Sequence, residues 1–217
     1  MSYKALVKKL HIERKLVKPD GIITSDEIKA HCKNEHINLK YNFAISYLLN
    51  NGYIERIMRG IFYIRTLDEK KENVSRISFY EAIAKAMKRK KVTKWYFGLE
   101  SALALNAMTH ETFLLHTIIN NKIKTNRPIK ILGHKVTLRK LAGVEYSFGI
   151  LSKKTVSGVT YFYSDPERTV LDFVYLGKYN GKAKKEISYD ISQYKTNSFV
   201  LHEHSTKYPK TVKEIIM

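Results

Sequence analysis

The chain has 217 residues, 44% of them hydrophobic, enough for one large or two small packed domains. Its 39 basic and 20 acidic residues leave a formal net charge of +19, an excess that repels itself in a folded chain and suits a polyanionic partner. No apolar run is long enough to span a bilayer, no charged-then-apolar leader opens the chain, and the one cysteine excludes an internal disulfide, so the expected location is the cytoplasm.

Residues 3–17 read as an opening helix, with Leu6, Leu10 and Val17 sharing an inward stripe and lysines outside. Pro19-Asp20-Gly21 ends it, and Ile22-Ile23-Thr24 is a short apolar strand. A second helix starts at Thr24-Ser25-Asp26-Glu27, with Thr24 as cap and Glu27 reaching back to it. It carries Ile28 and Cys32 at i, i+4, which makes Cys32 a core thiol. Asn34 to Asn38 is a polar turn. A third helix runs from about Leu39 to Asn51, with Tyr41, Ala44, Ile45, Leu48 and Leu49 on one face, and Gly52 in a left-handed cap. Tyr53–Ile57 and Ile61–Ile64 then flank Met58-Arg59-Gly60, a hairpin that turns at Gly60. This order predicts a winged helix-turn-helix domain over 1–67.

Residues 66–75 are mixed-charge with almost nothing to bury, which places a linker at 68–75 and a second domain at 76–217. Two helices are expected over 76–110. The first carries Ile77, Tyr80, Ile83, Ala84 and Met87, and ends in Lys88-Arg89-Lys90-Lys91, a solvated cap or a nucleic-acid patch. The second is the small-residue-rich run from Gly98 to Met108. Beyond it the period changes to two, with strands expected at 113–120, 129–132, 135–138, 145–151 and 158–163, and a tight hairpin at Leu132-Gly133. Ser164 or Asp165 caps a further helix with Pro166 in its first turn, which breaks at 177–181. The tail from Lys182 holds one or two helices and a short strand at Ser198–Leu201. The fold class is α+β, a winged helix-turn-helix domain followed by a mixed α+β domain.

A helix-turn-helix places its second helix in the major groove, where outward side chains reach base edges. The outward positions are Lys40, Asn42, Phe43, Ser46, Tyr47 and Asn50, the first five being the expected DNA contacts. Arg56 and Arg59 lie on the wing, suited to the backbone or the minor groove. A winged domain can instead dock a protein. The exposed face is basic and polar rather than apolar, which favours DNA, and both halves are basic, with 12 basic and 6 acidic residues in 1–67 and 27 and 14 in 68–217. The basic second half is also compatible with RNA, with tyrosines available for stacking. His202-Glu203-His204, read on a strand, would send both rings one way, but two ligands are too few for zinc. No phosphate-binding loop, nucleophile elbow or convergent carboxylate set occurs. Neither enzymatic activity nor a cofactor is expected.

Three segments carry a resemblance. Gly52–Tyr63, with Arg59-Gly60-Ile61-Phe62-Tyr63 at its tip, resembles the end of the N-terminal domain of AbiEi-type antitoxins. Tyr96-Phe97-Gly98-Leu99-Glu100-Ser101-Ala102-Leu103 resembles the segment that opens their second domain. Asp165-Pro166-Glu167-Arg168-Thr169-Val170-Leu171-Asp172 resembles a later helix of theirs. The order and spacing agree, so the resemblance covers most of the chain. It implies an antitoxin and transcriptional autorepressor whose N-terminal domain binds inverted repeats in its own promoter. The second domain would counter a nucleotidyltransferase-type toxin without a stable complex. On this likeness Lys40 to Tyr47 match the recognition helix, and Arg56 and Arg59 the basic wing. Ser101, Arg168 and Asp172 match second-domain motif positions with structural roles.

Overall fold

In the computed structural model, residues 3–17, 19–34 and 40–216 are described. The chain divides into two units, Met1–Lys91 with Lys130–Gly133, and Val92–Ile129 with His134–Met217. Both helices and sheets contribute throughout, in an α+β fold.

The first unit begins with α1 (Tyr3–Leu16), β1 (Ile22–Thr24), α2 (Ser25–Asn34), α3 (Tyr41–Asn50), β2 (Ile54–Met58) and β3 (Ile61–Ile64). Leu6 and Leu10 of α1 are buried. Val17 lies beyond the helix end and is 69% exposed, so it does not join their stripe. Thr24 and Glu27 form the reciprocal pair at the start of α2: the Glu27 N–H donates to Thr24 Oγ1 at 3.3 Å, and the Thr24 N–H donates to Glu27 Oε2 at 2.7 Å. The polar turn expected at Asn34–Asn38 falls mainly on 35–39, outside the described residues. Helix α3 ends as expected. Gly52 takes φ +69°, and the N–H groups of Gly52 and Tyr53 close on the carbonyls of Leu49 and Leu48. The three strands form an antiparallel sheet in the order β1-β3-β2. Leu6, Ile28, Cys32, Ala44, Leu48 and Phe62 share one core beneath the helices.

Two findings differ from the sequence reading of residues 66–91. The expected linker contains α4 (Leu67–Glu72), capped by Thr66 and closed by the Glu69 side chain returning to the Thr66 N–H at 2.7 Å. Its inward group is a carboxylate: Glu69 is 1% exposed, so a search for apolar residues passes over it. Next, α5 (Phe79–Arg89) contacts β1, β2 and β3 and belongs to the first unit. Lys85 Nζ donates to the Asp20 carbonyl at 3.1 Å, and Arg89 pairs with Asp20 at 3.2 Å. The first unit therefore runs to Lys91, past the expected boundaries at 67 and 76.

The second unit starts with β4 (Trp95–Gly98), absent from the sequence reading, and α6 (Glu100–Leu105), shorter than the expected 98–108. β5 (Leu115–Asn120), β6 (Ile129–Ile131), β7 (His134–Arg139), β8 (Ile150–Lys154) and β9 (Thr160–Ser164) follow. The six-stranded sheet has the order β6-β7-β5-β4-β9-β8, mixing parallel β5–β7 and β4–β9 pairs with antiparallel β4–β5 and β8–β9 pairs. Leu132 and Gly133, at φ +46° and +84°, make the tight turn between β6 and β7. Residues 145–149, expected as strand, precede β8.

Helix α7 (Pro166–Tyr179) has Asp165 as cap, its carboxylate accepting from the Arg168 N–H at 2.7 Å. It passes Gly177 and ends at Tyr179, within the break expected at 177–181, with Gly181 at φ +80°. A Cβ at Gly177 would lie 3.1 Å from Ile187 Cγ1, so the glycine serves a close helix approach. That neighbour sits on α8 (Lys184–Ser192), followed by α9 (Ser198–Ser205) and α10 (Lys210–Ile216). The strand expected at Ser198–Leu201 is the first turn of α9, capped by Asn197. Tyr96, Ile119, Leu171, Val174, Ile187 and Val212 join sheet and helices in one core.

Candidate nucleic-acid interface

Helix α3 is sorted by its own sequence. Ala44, Ile45 and Leu48 point into the first core. The positions between them, Lys40, Asn42, Phe43 and Ser46, are exposed, Phe43 at 63%. The Phe43 ring is the one large apolar side chain on that exposed face of α3. Tyr47, expected outward, is half-buried instead: it stacks on Tyr3 at 4.2 Å and on Tyr53 at 6.1 Å. It therefore packs between α1 and the residue that precedes β2 rather than pointing fully outward.

The β2–β3 hairpin carries the two arginines. Arg56 is exposed with its guanidinium 5.3 Å from the Phe62 ring centre, and Arg59 is exposed at the turn. Lys40, Arg56 and Arg59 have no carboxylate partner among the described residues, which leaves three cations for phosphate. The turn itself is tied down. The Gly60 carbonyl accepts from the Ser25 N–H at 2.9 Å, and the Arg59 carbonyl accepts from Lys90 Nζ at 2.7 Å. Lys90 thus has a positioning role at the hairpin. In sequence it is one of four consecutive cations, and only the fold separates it from its neighbours. Arg89 of the same run is paired with Asp20 and Glu27, while Lys88 and Lys91 stay exposed.

The three motif positions of the second unit are buried. Ser101 is 3% exposed, and its Oγ accepts from the Thr117 N–H at 3.1 Å beside His116 Nδ1 at 3.3 Å. Burial, with His134 nearby, holds His116 below its ordinary pKa. Arg168 and Asp172 are fully buried one helical turn apart and joined through Tyr96, the first residue of the other second-unit motif segment, with Tyr208 as a further partner. Arg168 Nε donates to Tyr96 Oη at 3.2 Å, and its other nitrogens donate to the carbonyls of Glu145 and Phe148. Asp172 accepts from Tyr96 at 2.8 Å and from Tyr208 at 2.5 Å. Burial pushes the Asp172 carboxyl up to about 6 against the opposing pull of Arg168 and the two hydroxyls. This is a closed polar network inside a core, with no group left to face a ligand.

His202 and His204 lie on α9, where positions i and i+2 diverge, so they do not form the paired site a strand would give. His204 faces Asp165 at 3.8 Å and packs on Phe148. Among the described residues, no helix is long and apolar enough to cross a membrane.

No family model matches the chain, and no curated protein does. Among solved structures, the chain is similar to the RV2827C protein from Mycobacterium tuberculosis, with a TM-score of 0.56 at 11% identity over 99% of this chain and 74% of that one. At that identity the likeness concerns fold: both units of this chain follow a path that a crystallised protein also takes.

Proposed function

We propose that the first unit is a winged helix-turn-helix that binds double-stranded DNA, and that the chain is an autorepressor and antitoxin of the AbiEi type. The observation that carries the DNA reading is the division of α3. Ala44, Ile45 and Leu48 are spent on the core, and the outer face presents Lys40, Asn42, Phe43 and Ser46 beside a hairpin bearing Arg56 and Arg59 without carboxylate partners among the described residues. Phosphate neutralisation supplies affinity, and side chains on the helix supply base selection. The antitoxin half, directed at a nucleotidyltransferase-type toxin, rests on the likeness of the three sequence segments. An RNA target for the basic second half is the competing reading.

The test is titration of the purified chain with DNA from upstream of its own gene, against scrambled DNA of equal length, over a salt series. The reading expects upstream preference on the order of a thousandfold. Arg59→Ala should weaken binding to all sequences and lower the salt slope by about one unit, whereas Asn42→Ala should alter sequence preference. Equal, steeply salt-dependent binding to both DNAs would reduce the chain to a general nucleic-acid binder, and tighter binding to RNA would favour the second reading.

A further inference from the structure

The second unit holds a cleft of about 240 Å³ between strands β5 and β7 on one side and the C-terminal half of α7 with α8 on the other. Alternation along β7 sends Thr137 and Arg139 to the same face. The register sets them beside Thr117 and Ile119 of β5. Both side chains line the cleft, and neither has a hydrogen-bond or ion-pair partner among the described residues. Thr137 is 5% exposed and Arg139 is half-buried.

The other charged groups of the cleft each have a partner, although that of Glu100 is a neutral hydroxyl and leaves its negative charge in place. Lys182 and Asp190 close on each other at 2.8 Å, and Glu100 accepts from Thr117 Oγ1 at 3.2 Å. Arg139 is therefore the cation left without an acceptor, in a place that strips part of its water. A partly desolvated guanidinium gains from an anionic oxygen, and its fork accepts a carboxylate or phosphate through two parallel bonds. Facing it across the cleft is an apolar wall, Phe173 and Leu176 of α7, while Leu115 lies on the same sheet face as Arg139. The Phe173 ring is stacked on Tyr194 at 6.1 Å, which holds that wall in place. Among the lining residues, buried Leu99 sits between β4 and α6 at φ +51° and ψ −130°, a conformation costly for a side chain with a Cβ.

We propose that this cleft binds a small organic anion, with Arg139 and Thr137 holding its charged oxygens and its compact apolar body lying against Phe173 and Leu115. The inference is independent of the nucleic-acid reading, because it uses residues of the second unit alone.

The experiment titrates the full chain with phenyl phosphate, benzoate, inorganic phosphate and phenol, followed by calorimetry and amide NMR. Saturable binding of phenyl phosphate or benzoate is expected, with shifts at the Thr117 and Thr137 amides. The tighter of the two names the head group. Phenol, lacking the charge, should fail, and inorganic phosphate should bind more weakly than its phenyl ester. Arg139→Met should cut affinity roughly tenfold or more, and the isosteric Thr137→Val should cut it several-fold. Urea unfolding of both variants confirms that they are folded. Absence of saturable binding by either aromatic anion at about 10 mM, or binding that Arg139→Met leaves unchanged, would overturn the proposal.

Discussion

Arg168 has no solvent exposure, yet a guanidinium stays charged in a protein. Its partner Asp172 is a weak one, because burial raises the carboxyl towards neutrality, to about 6. Without Arg168, the carboxylate would keep the desolvation penalty and lose its cation. Arg168→Met should therefore lower unfolding free energy by about 3–5 kcal/mol at pH 7, the usual outcome when one partner of a buried pair is removed. The sign of the pH dependence follows from linkage. A carboxyl raised above its unfolded value destabilises the fold progressively as pH climbs from about 4 to its folded pKa, since the unfolded chain has released its proton first. In Arg168→Met that folded pKa rises further, so the deficit relative to wild type should shrink at pH 5, where Asp172 can take a proton. Urea unfolding of both proteins at pH 5 and pH 7 measures this. A deficit equal at the two values would mean that the lost cation–π packing on Tyr96 and Phe148, at 4.5 and 4.2 Å, matters more than charge.

Helix α4 shows how an element can hide in a charged stretch. Its six residues, Leu67-Asp68-Glu69-Lys70-Lys71-Glu72, offer one apolar side chain, and that one is exposed. What anchors the helix is the Glu69 carboxylate, which accepts from Tyr63 Oη at 2.6 Å, from the Thr66 N–H at 2.7 Å and from the Arg76 N–H at 2.7 Å, with Arg14 at 3.5 Å. Glu69→Ala would leave these donors unpaired in a largely dry site. Because each unsatisfied buried group costs about 1–3 kcal/mol, the variant should lose at least about 3 kcal/mol in urea unfolding. A loss below about 1 kcal/mol would show that water replaces the carboxylate there, and that the stretch behaves as a linker after all.

The same contrast explains what could be read along the chain. Elements announced by local chemistry were legible: β1 between Gly21 and the Thr24–Glu27 pair, the Gly52 cap, the Leu132-Gly133 turn, and the Asp165-Pro166 start of α7. Strand β4 was not, because Trp95, Tyr96 and Phe97 are all buried and a strand covered on both faces has no alternation to detect. Helix α5 was recognised as a helix but assigned to the wrong side of a boundary, since an apolar stripe does not say which core it enters. At the candidate interface, Lys40, Asn42, Phe43 and Ser46 were legible from helical spacing alone. Tyr47 was misread because its neighbour in space is Tyr3, 44 positions earlier in the chain. Lys90 was missed for the same reason, its acceptor being the Arg59 carbonyl.

At the scale of the whole molecule, the net charge of +19 pulls stability and binding in opposite directions. The ion pairs on the surface, such as Lys182–Asp190 and Arg76–Glu72, contribute little and weaken with salt. The unbalanced cations outnumber what such pairs can absorb, so self-repulsion outweighs the attraction within the pairs. Salt shortens its reach: the screening length falls from about 10 Å at 0.1 M to about 3 Å at 1 M. The free chain should therefore melt at a higher temperature as sodium chloride is raised from about 0.1 M to about 0.5 M, while affinity for DNA falls over the same range in proportion to the phosphates contacted. Arg56→Ala and Arg59→Ala separate the two effects. Each removes one cation from the molecule, a small change in total repulsion, but each should remove about one unit from the salt slope of binding if it meets a phosphate. Thermal melts and binding isotherms on the same samples decide the matter. A melting temperature that falls with salt would mean that ion pairs outweigh repulsion, and an unchanged slope in both variants would place the phosphate contacts elsewhere than on the β2–β3 hairpin.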